Sequence, residues 1–231
     1  MKKKSMLTLL GSTIALSVLY LQNPIFGRIP RKERKKKILE SKNYYNGQFN
    51  NIENTPSIPE DTGILDILGT LLSVHEDNRP KSEIPHIKTD LEKLSETNDN
   101  YYVWFGHSSY LIQISGVKYL IDPVFSGSVS PAPGSGKAFK GADYYDVEML
   151  PEKIDYLIIS HDHYDHLDYD TVKKLKDMVG KVIVPLGVGE HFEYWGYSPE
   201  KIIELSWDEE NHLEENVKII SVPSRHASGR L

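Results

Sequence analysis

Cysteine is absent from all 231 residues, which excludes disulfides and thiolate metal sites together. Any metal held by this chain must be bound by histidine, aspartate, glutamate or water, a donor set that favours zinc and other borderline to hard divalent cations. Internal repeats at solenoid periods are missing too. So is a basic footprint over most of the chain. Ten of the 27 lysines and arginines fall in the first forty residues beside only Glu33 and Glu40, for +8; the other 191 residues hold 17 basic and 31 acidic side chains, for −14. A body that acidic is a poor match for nucleic acid, and no nucleic-acid partner is expected. With 39% hydrophobic and 26% charged residues the chain reads as globular. Its length suits one substantial core with an N-terminal appendage.

That appendage begins with the basic residues 1–4. Residues 5–27 carry no charge and are long enough for a helical bilayer span, since about 20 residues suffice. The apolar text continues through "VLYLQNPIF", which favours an uncleaved anchor. The alternative is a cleaved signal peptide with Ala15-Leu16-Ser17 as a small-x-small site. The basic stretch that follows, "RIPRKERKKK", suits an anionic membrane surface, and its excess over the three N-terminal lysines leans towards a cytoplasmic body. The expected location is therefore a membrane, with a single N-terminal span. Residues 28–100 form a juxtamembrane and lead-in region. Within it, 41–60 reads as irregular. "DTGILDILGTLLSV" reads as a helix capped by Asp61 or Thr62, either packed on the core or facing a membrane.

The texture changes at Tyr101. "YYVWF", "YLIQI" and "VKYLID" are short, rich in β-branched and aromatic residues, and separated by turn sequences, as antiparallel strands are. A long Gly/Pro/Ser loop follows. "DYLIIS" then predicts a buried strand, "DYDTVKKLKDMVG" a capped helix ending in glycine, "KVIVPL" a strand and "VGEHFEYWG" a helix. "KIIEL" and "VKIISVP" predict two further strands. Strands followed by β-α alternation predict a layered α/β domain over 101–231, with sheet inside and helices outside.

At the end of the "DYLIIS" strand the sequence concentrates its chemistry. "HDHYDHLDYD" packs three histidines and four aspartates into ten residues. His161 and His163, two apart, can point at one ion. Asp165 and His166 lie further round the turn and can face a second, about 3.5–4 Å away. A polar surface loop needs no such cluster.

The H-x-H-x-D-H pattern after an apolar strand resembles the metallo-β-lactamase superfamily. "GHSSYLIQISGVKYLIDPVFS", "IDYLIISHDHYDHLDY", "VPLGV", "IIELSWDEEN" and "VPSRHASGR" are similar, in that order, to its N-acyl-phosphatidylethanolamine-hydrolysing phospholipase D branch. The likeness runs from about Tyr102 to the last residue. "NPIFGRIP" through "NIENTP" is similar to the lead-in of bacterial members with membrane-proximal N-termini. The resemblance implies an αββα sandwich with two zinc ions per complete domain and a phospholipid substrate. His161, His163 and His226 would bind the first zinc, and Asp165 and His166 the second. Asp165 also takes the catalytic role, and Asp122 fixes the ligand loop. His107 in "GHSS" either lines the site or is structural. His191 and His212 are read as non-ligands, on a helix and in an exposed loop. The family's bridging aspartate and last histidine follow the third histidine, and this chain ends five residues after His226. The expectation is an N-terminal part of the sandwich, inactive by itself. Lactone hydrolysis on the same scaffold is the enzymatic alternative, and a non-catalytic membrane-bound remnant is the alternative of another kind. Oligomeric state is not legible.

Overall fold

Alternating apolar side chains in the strands beyond Tyr101 give a central sheet two buried faces. The structure is a computed structural model and describes residues 17–53, 56, 61–72, 78–132, 134–215 and 217–230. Two small strands, Tyr44–Tyr45 (β1) and Gln48–Phe49 (β2), form a hairpin in the stretch expected to be irregular. Its turn is Asn46-Gly47, with φ of 55° and 81°, the left-handed pair that two-residue hairpins require. The main sheet has six strands, Tyr101–Gly106 (β3), Ser109–Ile114 (β4), Val117–Ile121 (β5), Ile154–Ile158 (β6), Val179–Pro185 (β7) and Ile202–Leu205 (β8). They lie in the order β3-β4-β5-β6-β7-β8. The first three pair antiparallel and the last four parallel. Glu210–Glu214 (β9) and Val217–Ile220 (β10) make a separate antiparallel hairpin, so His212 lies on an exposed strand rather than in a loop.

Side-chain period assigns the two faces. Leu111, Leu120, Leu157 and Val182 point to one face and pack with Leu91, Val172, Leu175, Phe192 and Trp195 from the helices. Those helices are Lys32–Glu40 (α1), Ile64–Leu72 (α2), Leu91–Ser95 (α3), Tyr169–Leu175 (α4) and Gly189–Tyr194 (α5); among the described side chains, α1 and α2 contribute none to this cluster. On the other face Tyr119, Tyr156, Ile183 and Leu205 meet Leu213, Val217 and Ile219 of the β9–β10 hairpin. The result is a mixed α/β fold around a central sheet.

Two expected helices differ in detail. The helix after the metal motif stops at Leu175, and Gly180 lies inside β7, where an added Cβ would come within 2.8 Å of the Asp155 carbonyl oxygen. Helix α2 forms, with Asp66 Oδ2 accepting from Gly63 N–H at 2.9 Å. Its Ile64 and Leu65 are 75% and 78% exposed, so this face is not packed on the core.

The expected membrane anchor is corrected. Among the described residues no helix is long and apolar enough to cross a membrane. Residues 5–16, with most of the uncharged run and of the alternative cleavage site, lie outside the described residues, as do 1–4. The end of the run, residues 23–27, is bound to the domain, whereas Val18, Leu19 and Leu21 are exposed. Helical structure ends at residue 21, and Pro24–Phe26 form a 3-10 turn capped by Asn23. Phe26 is buried. The Pro24 carbonyl accepts from Trp195 Nε1–H at 2.8 Å, and the Ile25 carbonyl from Arg230 Nη2–H at 3.0 Å. Apolar residues that pack against protein have the same hydropathy as residues that face lipid, which is why "NPIF" extended the apparent span.

The basic stretch is likewise turned inward at two positions. Arg28 pairs with Glu190 at 2.7 Å, and Arg34 reaches Glu190, Glu193 and Glu204 at 2.7, 2.8 and 2.6 Å.

Candidate metal centre

The carboxyl ends of β5 and β6 lie side by side because these strands are parallel neighbours. In open α/β sheets this edge is where ligand sites form. Asp122 follows β5 and Ser160 and His161 follow β6, so the topology places them together. Strand β4 runs antiparallel to β5, with Tyr110 opposite Ile121. The β3–β4 turn that carries His107 therefore lies at the same edge.

Three imidazoles converge there. The rings of His161 and His163 lie 4.6 Å apart, those of His161 and His226 4.6 Å, and those of His163 and His226 5.1 Å. One nitrogen from each falls within 4.8 Å of the others. His161 Nε2 is 3.0 Å from His163 Nδ1. A tetrahedral zinc with Zn–N of about 2.0–2.1 Å spaces its nitrogens by roughly 3.3 Å, so the donor set fits a single divalent cation. Burial, followed by the neighbouring rings of His166, His163 and His226, pushes His161 down to about 4. Its ring is therefore neutral at pH 7, the form that donates to a metal.

A second set adjoins the first, with the His161 and His166 rings 4.0 Å apart. It consists of His107, Asp165 and His166, whose ligand atoms also lie within 4.8 Å of one another. Burial opposes ionisation of Asp165, but a backbone hydrogen bond and the imidazoles of His166, His107 and His163 outweigh it and hold the carboxyl below its ordinary value.

Asp122 holds this arrangement from behind. It is 2% exposed. Its Oδ1 accepts from Ser160 N–H at 2.7 Å and its Oδ2 from Ser160 Oγ–H at 2.6 Å. Oδ2 also lies 2.8 Å from His166 Nδ1, which leaves Nε2 of that ring to face the second set. Burial opposes the charged ring of His166, but Asp122 raises its pKa above the ordinary value. The backbone of Asp122 has φ of 41°, a left-handed conformation that aspartate tolerates better than most residues.

Three contributors were missed in the sequence. Ser160 ties β6 to Asp122, as above. Buried Asp162 accepts from Ser228 Oγ–H and Gly229 N–H, each at 2.6 Å, and so draws the segment carrying His226 onto the ligand loop. Arg230 completes that attachment. It donates to the carbonyls of Asp162 and Leu167 at 2.9 and 2.7 Å, and its guanidinium lies 4.1 Å from the centre of the Tyr164 ring. Only the immediate adjacency of Ser160 and Asp162 to the ligand histidines could have flagged them. His191 and His212 stay outside both sets; His191 is buried, and its Nδ1 accepts from Arg28 N–H at 2.9 Å.

Residues 118–231 match the Beta-lactamase superfamily domain. The chain is 36% identical over 193 residues to an uncharacterized protein of Mycobacterium tuberculosis, covering 83% of this chain and 51% of that protein. It is 31% identical over 138 residues to the N-acyl-phosphatidylethanolamine-hydrolyzing phospholipase D 1 of Caenorhabditis elegans, covering 56% and 38%. A UPF0173 metal-dependent hydrolase of Pyrobaculum neutrophilum is 28% identical over 130 residues, covering 55% and 51%. Residues 118–231 thus carry a domain of the metallo-β-lactamase superfamily. It spans about half the length of these curated relatives, or less.

Proposed function

We propose that this protein is a metal-dependent hydrolase whose substrate is a phosphodiester of the N-acyl-phosphatidylethanolamine class, with zinc as its metal. The observation that carries the reading is the convergence of His161, His163 and His226 beside Asp165 and His166 at one sheet edge. Likeness to the nematode phospholipase D supports the substrate class. Cations bound at these sets would supply Lewis acidity towards the phosphoryl oxygens.

The remaining work falls to the chain itself. Asp122 and Ser160 fix the ring of His166, and residues 228–230 hold His226 against the ligand loop. Asp165, kept ionised by its histidine neighbours, orients the attacking water and takes up its proton.

The test uses the 231-residue chain, reconstituted with zinc, in mixed micelles containing N-acyl-phosphatidylethanolamine. Against the expectation, from the sequence, of a part inactive by itself, the described residues already bring both clusters together, so release of N-acylethanolamine and phosphatidate that stops on chelation and in His163→Ala is the expected result. A zinc-loaded chain that opens a lactone but cleaves neither this lipid nor bis(p-nitrophenyl) phosphate would overturn the diester assignment.

A further inference from the structure

Resting on the reading of His161, His163 and His226 as one cation site, we propose that His191 is a positioning residue for that site. It joins the N-terminal segment to Asp162 and, through Asp162, fixes His226 against the other two ligands. His226 lacks the support that its partners have. His161 and His163 closely follow β6, whereas residues 221–230 form no helix or strand. No ladder of backbone hydrogen bonds therefore sets where the third ring stands, and bonds to side chains must do so.

Asp162 is the link. It lies between His161 and His163 in the chain, and its Oδ1 takes both bonds from the His226 segment, Ser228 Oγ–H and Gly229 N–H at 2.6 Å each. One bonded oxygen alone leaves a carboxylate free to swing about it. The other, Oδ2, faces His191 Nε2 at 3.5 Å. Both residues are buried, with 8% of His191 and 7% of Asp162 exposed, and a polar contact in such surroundings is strengthened by the low local dielectric. Burial opposes ionisation of Asp162, but His191, Ser228 and the Gly229 N–H outweigh it and hold the carboxyl well below its ordinary range.

His191 is itself held from the N-terminal side. Its Nδ1 accepts from Arg28 N–H at 2.9 Å, so the ring's hydrogen is on Nε2, the nitrogen that faces Asp162. The ring stacks on Trp195, 5.7 Å between centres and 23° between planes, and Trp195 Nε1–H donates to the Pro24 carbonyl at 2.8 Å. A second route runs beside this one. The Ile25 carbonyl accepts from Arg230 Nε–H and Nη2–H at 3.2 and 3.0 Å, and Arg230 Nη1–H donates to the Asp162 carbonyl at 2.9 Å. Residues 24–28 thus reach Asp162 at its side chain and at its main chain. Packing alone does not need this order, since a phenyl ring would stack on Trp195 as well and leave Asp162 unheld.

The experiment titrates the metal-free 231-residue chain with zinc against a chromophoric chelator, and the cation lost in His163→Ala marks the three-histidine site. His191→Phe keeps the stack on Trp195 but has neither nitrogen, and it should bind that cation about tenfold more weakly. His191→Gln packs worse, yet its amide offers an acceptor to Arg28 N–H and a donor to Asp162. It should recover most of the affinity, a rescue that a packing role would not produce. A second measurement needs no variant at position 191. Coupling between sites is reciprocal, so zinc should slow hydrogen exchange at Arg28 N–H more than at Asn50 N–H, which bonds the Asn43 carbonyl in the β1–β2 hairpin. Wild-type affinity in a folded His191→Phe, or equal weakening in both variants, would overturn the inference and leave the metal centre standing. Should His191→Phe not fold, equal slowing at Arg28 and Asn50 overturns it. A wild-type chain that binds no zinc, or binds it indifferently to His163→Ala, removes the reading of the site itself.

Discussion

Asp122 Oδ2 and His166 Nδ1 lie 2.8 Å apart across the ends of two parallel strands, 44 residues apart in sequence. One buried carboxylate thereby sets the tautomer and orientation of an imidazole that faces the second cluster. Outer partners of this kind are commonly worth about 10- to 100-fold in metal affinity.

Asp122→Asn keeps the shape but loses the charge, and it places an amide where His166 and Ser160 need acceptors. Zinc affinity is expected to fall by roughly tenfold or more. Stability should fall by about 2 kcal/mol, since a buried hydrogen-bonded group is left badly paired. Chelator competition and urea denaturation of the metal-free chain read the two effects separately. Unchanged affinity in a folded variant would remove Asp122 from the metal centre.

The metal cluster was legible because its residues are consecutive and follow an apolar strand. The six-stranded sheet was legible because its strands are short, β-branched and separated by turn residues. What escaped were relationships that no local window contains. Asp162 meets Ser228 and Gly229 across 66 and 67 residues, and Arg34 meets Glu204 across 170. The β1–β2 hairpin escaped for another reason: two-residue strands are too short to show alternation, and only Asn46-Gly47 announces the turn. The apparent anchor over 5–27 misled because hydropathy does not name the surface that an apolar residue covers.

Arg34 anchors the N-terminal segment to the domain through three carboxylates, of which Glu190 is almost fully buried, with 4% of its side chain exposed. Removing one partner of a buried pair leaves the other charge uncompensated, a loss of about 3–5 kcal/mol. Arg34→Ala should therefore destabilise the chain by about 3 kcal/mol in urea. Arg34→Leu combined with Glu190→Leu should cost less than the sum of the single changes, because the contact between these two is then lost once rather than twice, while Glu193, Glu204 and Arg28 lose a partner in either case. Strict additivity would show that the two side chains do not act on each other.

Acid should act on the same contact. Burial alone would raise Glu190, but the hydrogen bonds and charges of Arg34, Arg31 N–H and Arg28 outweigh it and hold its pKa below 4.5. Between the two values the unfolded chain binds more protons than the folded one, so stability rises with pH there. The contribution is complete above about pH 4.5 and is lost as pH falls through the lowered folded value. Urea midpoints of wild type and Glu190→Gln, compared at about pH 7 and about pH 4, should show the larger drop in wild type. Equal drops would mean that Glu190 carries no such linkage.

Gly27 tests whether the end of the uncharged N-terminal run belongs to the domain. Its φ is 72°, and an added Cβ would lie 2.0 Å from His191 Nδ1, the atom that accepts from Arg28 N–H. Gly27→Ala must therefore adopt a disfavoured backbone, at about 1 kcal/mol. It must also displace a buried ring, for which overpacking typically costs about 1–3 kcal/mol more. We expect a loss of about 3 kcal/mol in the urea transition and faster proteolysis within residues 28–37, where docking depends on this contact. Were the segment free of the domain, a methyl group in an apolar run would change neither. A silent Gly27→Ala would thus detach residues 22–27 from the fold and reopen the question of what their apolar side chains cover.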